Sequence, residues 1–167
     1  MIIIITVITA VCLFLFMPRR YYIPKHILAM NDNTAEDGVK HYTEYKVHFD
    51  YTKVYADKDG NLVFVLTKEQ RKSFLEYVKD DMEYCEYVLA EYNMELSYNA
   101  SYTEVIVKCK SEDFGEVIDA DSLTGMAASA GFYQGFIGVK PEDNKVTLKV
   151  IDTDTNEVIY EKTLEAP

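Results

Sequence analysis

A chain of 167 residues, 49% hydrophobic and 27% charged with few glycines and prolines, has the composition of a folded protein rather than a disordered one. Its net charge of −11 is unevenly placed: Arg19, Arg20 and Lys25 precede every acidic residue, and from His26 onward 14 basic residues stand against 28 acidic ones. Such a body repels nucleic acid and anionic headgroups, which excludes nucleic acid as a partner and suits a basic protein or divalent cations.

The chain opens MIIIITVITAVCLFLFM, without a charge before Arg19. As a helix this run would span about 26 Å, slightly less than a bilayer core of about 30 Å. Tyr21 and Tyr22 follow at the depth that interfacial aromatics favour. No small-x-small cleavage site follows the run directly, because Met17-Pro18-Arg19-Arg20 occupies that place. Met1–Met17 is therefore expected to be an uncleaved signal-anchor, with the membrane as the partner of this helix. Three basic residues after the span and none before it argue for a cytoplasmic body. Residues 18–38, with Pro18, Pro24, Gly38 and the cluster Asn31-Asp32-Asn33-Thr34, read as a tether. Residues 39–167 read as one domain.

Within that domain Tyr45, Val47, Phe49 and Tyr51 alternate with Glu44, Lys46, His48 and Asp50, which predicts a strand with one wet face. DKDGN at Asp57–Asn61 predicts a hairpin turn, and Leu62–Leu66 the returning strand. Thr67 with Gln70 three residues later predicts a capping box. After it Phe74, Val78, Met82, Cys85 and Leu89 mark the buried stripe of a helix that runs to about Tyr92. Tyr77, Tyr84, Tyr87 and Tyr92 lie on its flank. Leu96–Lys110 reads as strand. Ser122–Val139 carries no charge and is crowded with small residues, including Gly131 and Gly135 as GxxxG. The apolar residues are too few and Gln134 too polar for a second membrane span, so a soluble helix packed closely on a sheet is expected. Val146, Leu148 and Val150 alternate into a strand, DTDTN turns the chain, and Val158 and Tyr160 lead the last strand. The expected fold is α+β: an N-terminal transmembrane helix, then a five-stranded, mostly antiparallel sheet in the order ββαβαββ, with two helices on one face.

PRRYY at Pro18–Tyr22 and GVKHYTEYKV at Gly38–Val47 resemble the start of small uncharacterised envelope proteins of Gram-positive bacteria. The resemblance covers about 50 residues well and the C-terminal half more loosely, and this chain lacks the basic start of that pattern. It implies an extracytoplasmic body, against the charge rule, and supplies no catalytic residues.

Motifs for chemistry are sparse. His26, His41 and His48 show no zinc spacing, and no nucleophile is placed beside His48. DKDGN copies the first five residues of a calcium-binding EF-hand loop, but Leu62 and Lys68 stand where Gly and the bidentate Glu belong. DTDTN departs in the same way. Glu112, Asp113, Glu116, Asp119 and Asp121 fit the acid preference of a helix start. Cys85 and Cys109 fit two buried thiols better than a disulfide. No catalytic, cofactor or metal residues are assigned. The expected function is a membrane-tethered, extracytoplasmic interaction module without catalysis, and its surface is either the wet strand face of Glu44, Lys46, His48 and Asp50 or the small-residue helix. The alternative is an acidic immunity-type or regulatory inhibitor of a basic partner.

Overall fold

Arg19–Ile23 forms the first strand, β1, in a computed structural model that describes residues 17–44 and 49–166. It pairs antiparallel with β3 (Leu62–Leu66), Tyr21 opposite Phe64, while β2 (Lys53–Ala56) pairs with the other edge of β3. The sheet order is thus β1-β3-β2. The central strand LVFVL is buried at four of five positions, as a strand covered on both faces requires. The expected tether over 18–38 is therefore part of the fold. Pro18 and Pro24 bracket a short strand, and Pro24 starts the one-turn helix α1 (Lys25–Leu28), whose Ile27 is fully buried beside Ile23 in the same core. The prolines read as linker punctuation, but their local effect, ending one element and starting another, is equally compatible with a packed segment.

The strand expected over 44–51 is also corrected. Thr34 caps helix α2 (Ala35–Glu44): its Oγ accepts from the Asp37 amide at 3.2 Å, and the Asp37 carboxylate accepts back from the Thr34 amide at 3.0 Å. Ala35, Val39 and Tyr42 face inward at helical spacing. Glu44 ends that helix, Lys46 and His48 lie outside the described residues, and Asp50 sits exposed in the connection to β2. Phe49 and Tyr51 turn into an aromatic core, where the Tyr51 hydroxyl donates to the Tyr42 carbonyl at 2.9 Å. Of the predicted alternation Glu44 is helical and Phe49 to Tyr51 lie in no strand, while residues 45–48 lie outside the described residues.

Helix α3 (Lys68–Glu91) starts at the expected capping box: Thr67 Oγ1 accepts from the Gln70 amide at 3.2 Å and Gln70 Oε1 from the Thr67 amide at 2.9 Å. It ends where Asn93 turns left-handed (φ 58°) and the Met94 amide returns to the Leu89 carbonyl. Phe74, Val78, Met82 and Leu89 are buried as the stripe predicts, and Cys85 is half-buried.

Leu96–Lys110, expected as one strand, is a hairpin of β4 (Glu95–Tyr98) and β5 (Glu104–Cys109). Helix α4 (Ala120–Ile137) then carries the chain to β6 (Lys145–Asp152), which runs parallel to β5, and β7 (Val158–Glu165) returns antiparallel. The second sheet is β4-β5-β6-β7. The fold is α+β, with sheets of three and four strands in place of one sheet of five. A split of this kind depends on which strand edges meet, and alternation within each strand is the same in either arrangement.

No helix among the described residues is long and apolar enough to cross a membrane. The transmembrane helix, the signal-anchor and the single-pass extracytoplasmic placement therefore find no support, and Met1–Phe16, on which they rested, lies outside the described residues. The charge-free segment in α4 is interior packing. A Cβ on Gly135 would collide with the Tyr22 carbonyl oxygen and lie 2.8 Å from Ile23 Cδ1, and one on Gly131 would lie 2.6 Å from Ile27 Cδ1. Helix α4 thus lies against the backbone of β1 and the side chain of α1, at distances only glycine permits.

Candidate interaction surface

Helices α3 and α4 pack antiparallel, and the seam between them faces outward. Along it, steps of three and four place Tyr77, Asp81, Tyr84 and Val88 of α3 beside Ser122, Gly125, Ser129 and Phe132 of α4. Two depressions open there. One, of about 180 Å³, lies between Tyr84, Cys85, Tyr92, Val117, Ile118 and Met126. The other, of about 210 Å³, lies between Tyr77, Val78, Gly125, Ala128, Ser129 and Phe132. Between them Ser129 Oγ donates to the Asp81 carboxylate at 2.6 Å and ties the helices together. Among the described residues nothing lies within 4 Å of a Cβ built on Gly125, so they leave the valley floor open at that point. Below it Tyr42 is wedged against Phe64 and Phe74, with ring centroids 4.8 and 6.3 Å away. Burial, with Tyr77 adding to it, pushes its hydroxyl up to about 12, so it is neutral at any physiological pH.

The outward surface of α3 and its C-cap is unusually aromatic, with Tyr77, Tyr84 and Tyr92 bordering the valley and Tyr87 outside both depressions. Tyr77, Tyr84, Tyr87 and Tyr92 are 53%, 64%, 62% and 55% exposed. From Glu76 to Glu91 the helix carries six acids and one base, Lys79. Glu76 pairs with Lys72, and Glu91 accepts from the Tyr87 hydroxyl at 2.8 Å. Asp80, Glu83 and Glu86 have no ion pair among the described residues. The open face of the four-stranded sheet is charged too, but its charges cancel locally. Lys108 meets Glu95 at 3.5 Å, Lys145 meets Glu165 at 2.7 Å, and Lys149 meets Glu104 at 2.8 Å. A basic ligand would gain little there and more along α3.

A third concavity, of about 430 Å³, brings titratable groups together from distant segments: Tyr22, Lys25, His26, Asp57, Asp59 and Glu142. Its groups are engaged in holding the fold. Asp57 organises the hairpin turn, accepting from the amides of Asp59 and Asn61 at 2.9 and 2.8 Å and from the Asn61 side chain at 3.0 Å, and these bonds hold its carboxyl below the usual range despite burial that pushes the other way. His26 Nε2 lies 3.2 Å from the Asn144 carbonyl, which can only accept, so that nitrogen carries the proton. Burial holds the imidazole below its ordinary value, favouring the neutral ring. No serine or cysteine lines this cavity.

The second Asp-rich turn behaves like the first. Asp152 Oδ1 accepts from the amides of Asp154 and Thr155, both at 2.8 Å, and Oδ2 from the amide and hydroxyl of Ser111; these bonds hold the acid strongly ionised. Both resemblances to a calcium loop are thus turn chemistry, and no group of three metal-ligating side chains occurs among the described residues. Cys85 and Cys109 are free thiols, each pushed up by burial.

Of the expected site residues, Glu44 ends α2 and Asp50 is exposed in the connection to β2, while Lys46 and His48 lie outside the described residues. The residues that sequence reasoning passed over are the four tyrosines, which at helical spacing look like the edge of a core. The signal available was Tyr87 with Asp80 and Glu83 on the side of α3 opposite the stripe, while Tyr77 and Tyr84 turn towards the α4 seam. Compared with family models, with curated proteins and with solved structures, the chain shows no match.

Proposed function

We propose that this protein is an interaction module that binds a basic protein partner through the tyrosine-and-acid face of α3. One observation carries the reading: four tyrosines, each more than half exposed, lie along α3 and at its C-cap, where Asp80, Glu83 and Glu86 have no ion pair among the described residues, while the other open face is self-neutralised. Tyrosine supplies a large contact area at low entropic cost, and unpaired acids steer a basic partner and set its orientation. Regulation or inhibition of the partner follows from occupying its basic surface.

Photo-crosslinkers placed at Tyr87 on α3 and at Thr163 on the sheet test this. A basic protein trapped only from position 87, and lost when Asp80, Glu83 and Glu86 are changed to lysine, is the expected result. Equal trapping from both positions, or an acidic partner, would overturn the reading.

A further inference from the structure

The valley between α3 and α4 does more than border the acidic face. We infer that it is the docking groove for a basic amphipathic helix of the partner, lying along the seam with an apolar side chain in each depression. This rests on the proposed reading of the acidic face and adds the shape of what binds there.

Three observations on the seam specify that occupant. The two depressions lie in line between two antiparallel helices, the geometry in which a third helix packs, with the Ser129–Asp81 bond crossing between them. These depressions, of about 180 and 210 Å³, take Ser122 and Met126 of α4 in one and Gly125, Ala128, Ser129 and Phe132 in the other, so they follow one another along the seam. In the wall of the second depression Gly125 presents bare backbone, with nothing among the described residues within 4 Å of its Cβ position, which lets another helix approach closely. The rim is acidic: Asp80 and Glu91 flank Tyr84 on α3, and Glu116 is exposed beside Val117 at the mouth of the first depression. Charge complementarity therefore selects a helix with lysine or arginine beside its apolar stripe. A second copy of this chain would bring the same acids against one another, which disfavours self-association.

The probe is a labelled synthetic peptide of about 18 residues, long enough for five helical turns, with leucines seven positions apart and lysines flanking them. Fluorescence anisotropy with the full-length protein is expected to show saturable binding. Gly125→Leu, which fills the valley, and Tyr84→Ala, which removes a wall, are each expected to weaken it about ten-fold or more. Glu104→Lys on the sheet is expected to leave it unchanged. Tyr84→Ala decides the matter if Gly125→Leu lowers the thermal midpoint. If Asp80→Lys/Glu91→Lys abolishes binding while both valley variants bind normally, the acidic face stands and the groove is overturned. Absence of binding by any basic peptide overturns both. A dimer in sedimentation that Gly125→Leu dissociates would show a second copy in the valley and would also overturn the proposal.

Discussion

Helix α4 has two flanks built from the same kinds of residue, and they do opposite things. On the flank facing β1 and α1, Gly131 and Gly135 are pressed against Ile27 and the Tyr22 backbone, and no Cβ fits without movement. On the flank facing α3, a Cβ on Gly125 would meet nothing within 4 Å among the described residues. The closed flank is also wired. Buried Gln134 donates to the carbonyls of Tyr102 and Lys145 at 2.9 and 2.7 Å and accepts from the Lys145 amide at 3.1 Å. Buried Asn144 donates to the Gly131 carbonyl at 2.9 Å and offers its own carbonyl to His26. Two bonds cross the open flank, from Ser129 to Asp81 and from Arg71 to the Phe136 carbonyl. A small residue in a helix costs stability unless a close neighbour returns it; one flank of α4 has that neighbour within the chain, and the other leaves the place vacant.

The largest effect is expected at the closed flank. Gly135→Ala drives a methyl into a backbone carbonyl, which cannot rotate away, and should cost about 3 kcal/mol in denaturant unfolding. A loss below about 1 kcal/mol would mean that β1 yields and that the flank is not closed. Gln134→Leu leaves two carbonyls and an amide without their partner in the interior and should cost about 2 kcal/mol by the same measurement. Gly125→Ala runs the other way: with no contact to lose and helix propensity to gain, it should raise stability by about 0.5–1 kcal/mol. Destabilisation there would erase the contrast between the flanks.

The smallest effect is a pH dependence. His26 holds its proton less readily in the folded chain than in the unfolded one, because burial disfavours the cation. Its contribution is therefore whole above its ordinary value of about 6.5 and is lost as pH falls through the lower folded-state value. The thermal midpoint should decline as pH falls below about 6.5, above the range in which Asp57 and Asp152 titrate. His26→Gln keeps a donor for the Asn144 carbonyl but cannot be charged, so its midpoint should be flatter over that interval. An identical decline in both proteins would assign the dependence to other groups.

Much of the local structure was legible in the residues. Thr67 and Gln70 set the start of α3, Phe74 to Leu89 set its buried face, and Asp57 to Asn61 set a turn whose returning strand is Leu62–Leu66. Each of these depends on residues within a few positions of one another, and capping, helical periodicity and turn chemistry act over that range. The candidate site was half legible: the tyrosines and acids of α3 are visible in sequence, but their exposure is not.

What only the tertiary structure decided is where distant segments meet. The five residues Arg19–Ile23 carry no alternation that marks a strand, and they become one because the β3 edge is there to accept their hydrogen bonds. The parallel pairing of β5 with β6 and the division into two sheets were settled in the same way, by contacts across many residues. The valley between α3 and α4 follows from that arrangement. The amino-acid sequence by itself determined the elements whose bonds close locally, and it determined the sign of the surface charge. Which faces are covered and which stay open depended on packing between remote parts of the chain, because burial is a property of the assembled fold and local pattern is the same on either side of it.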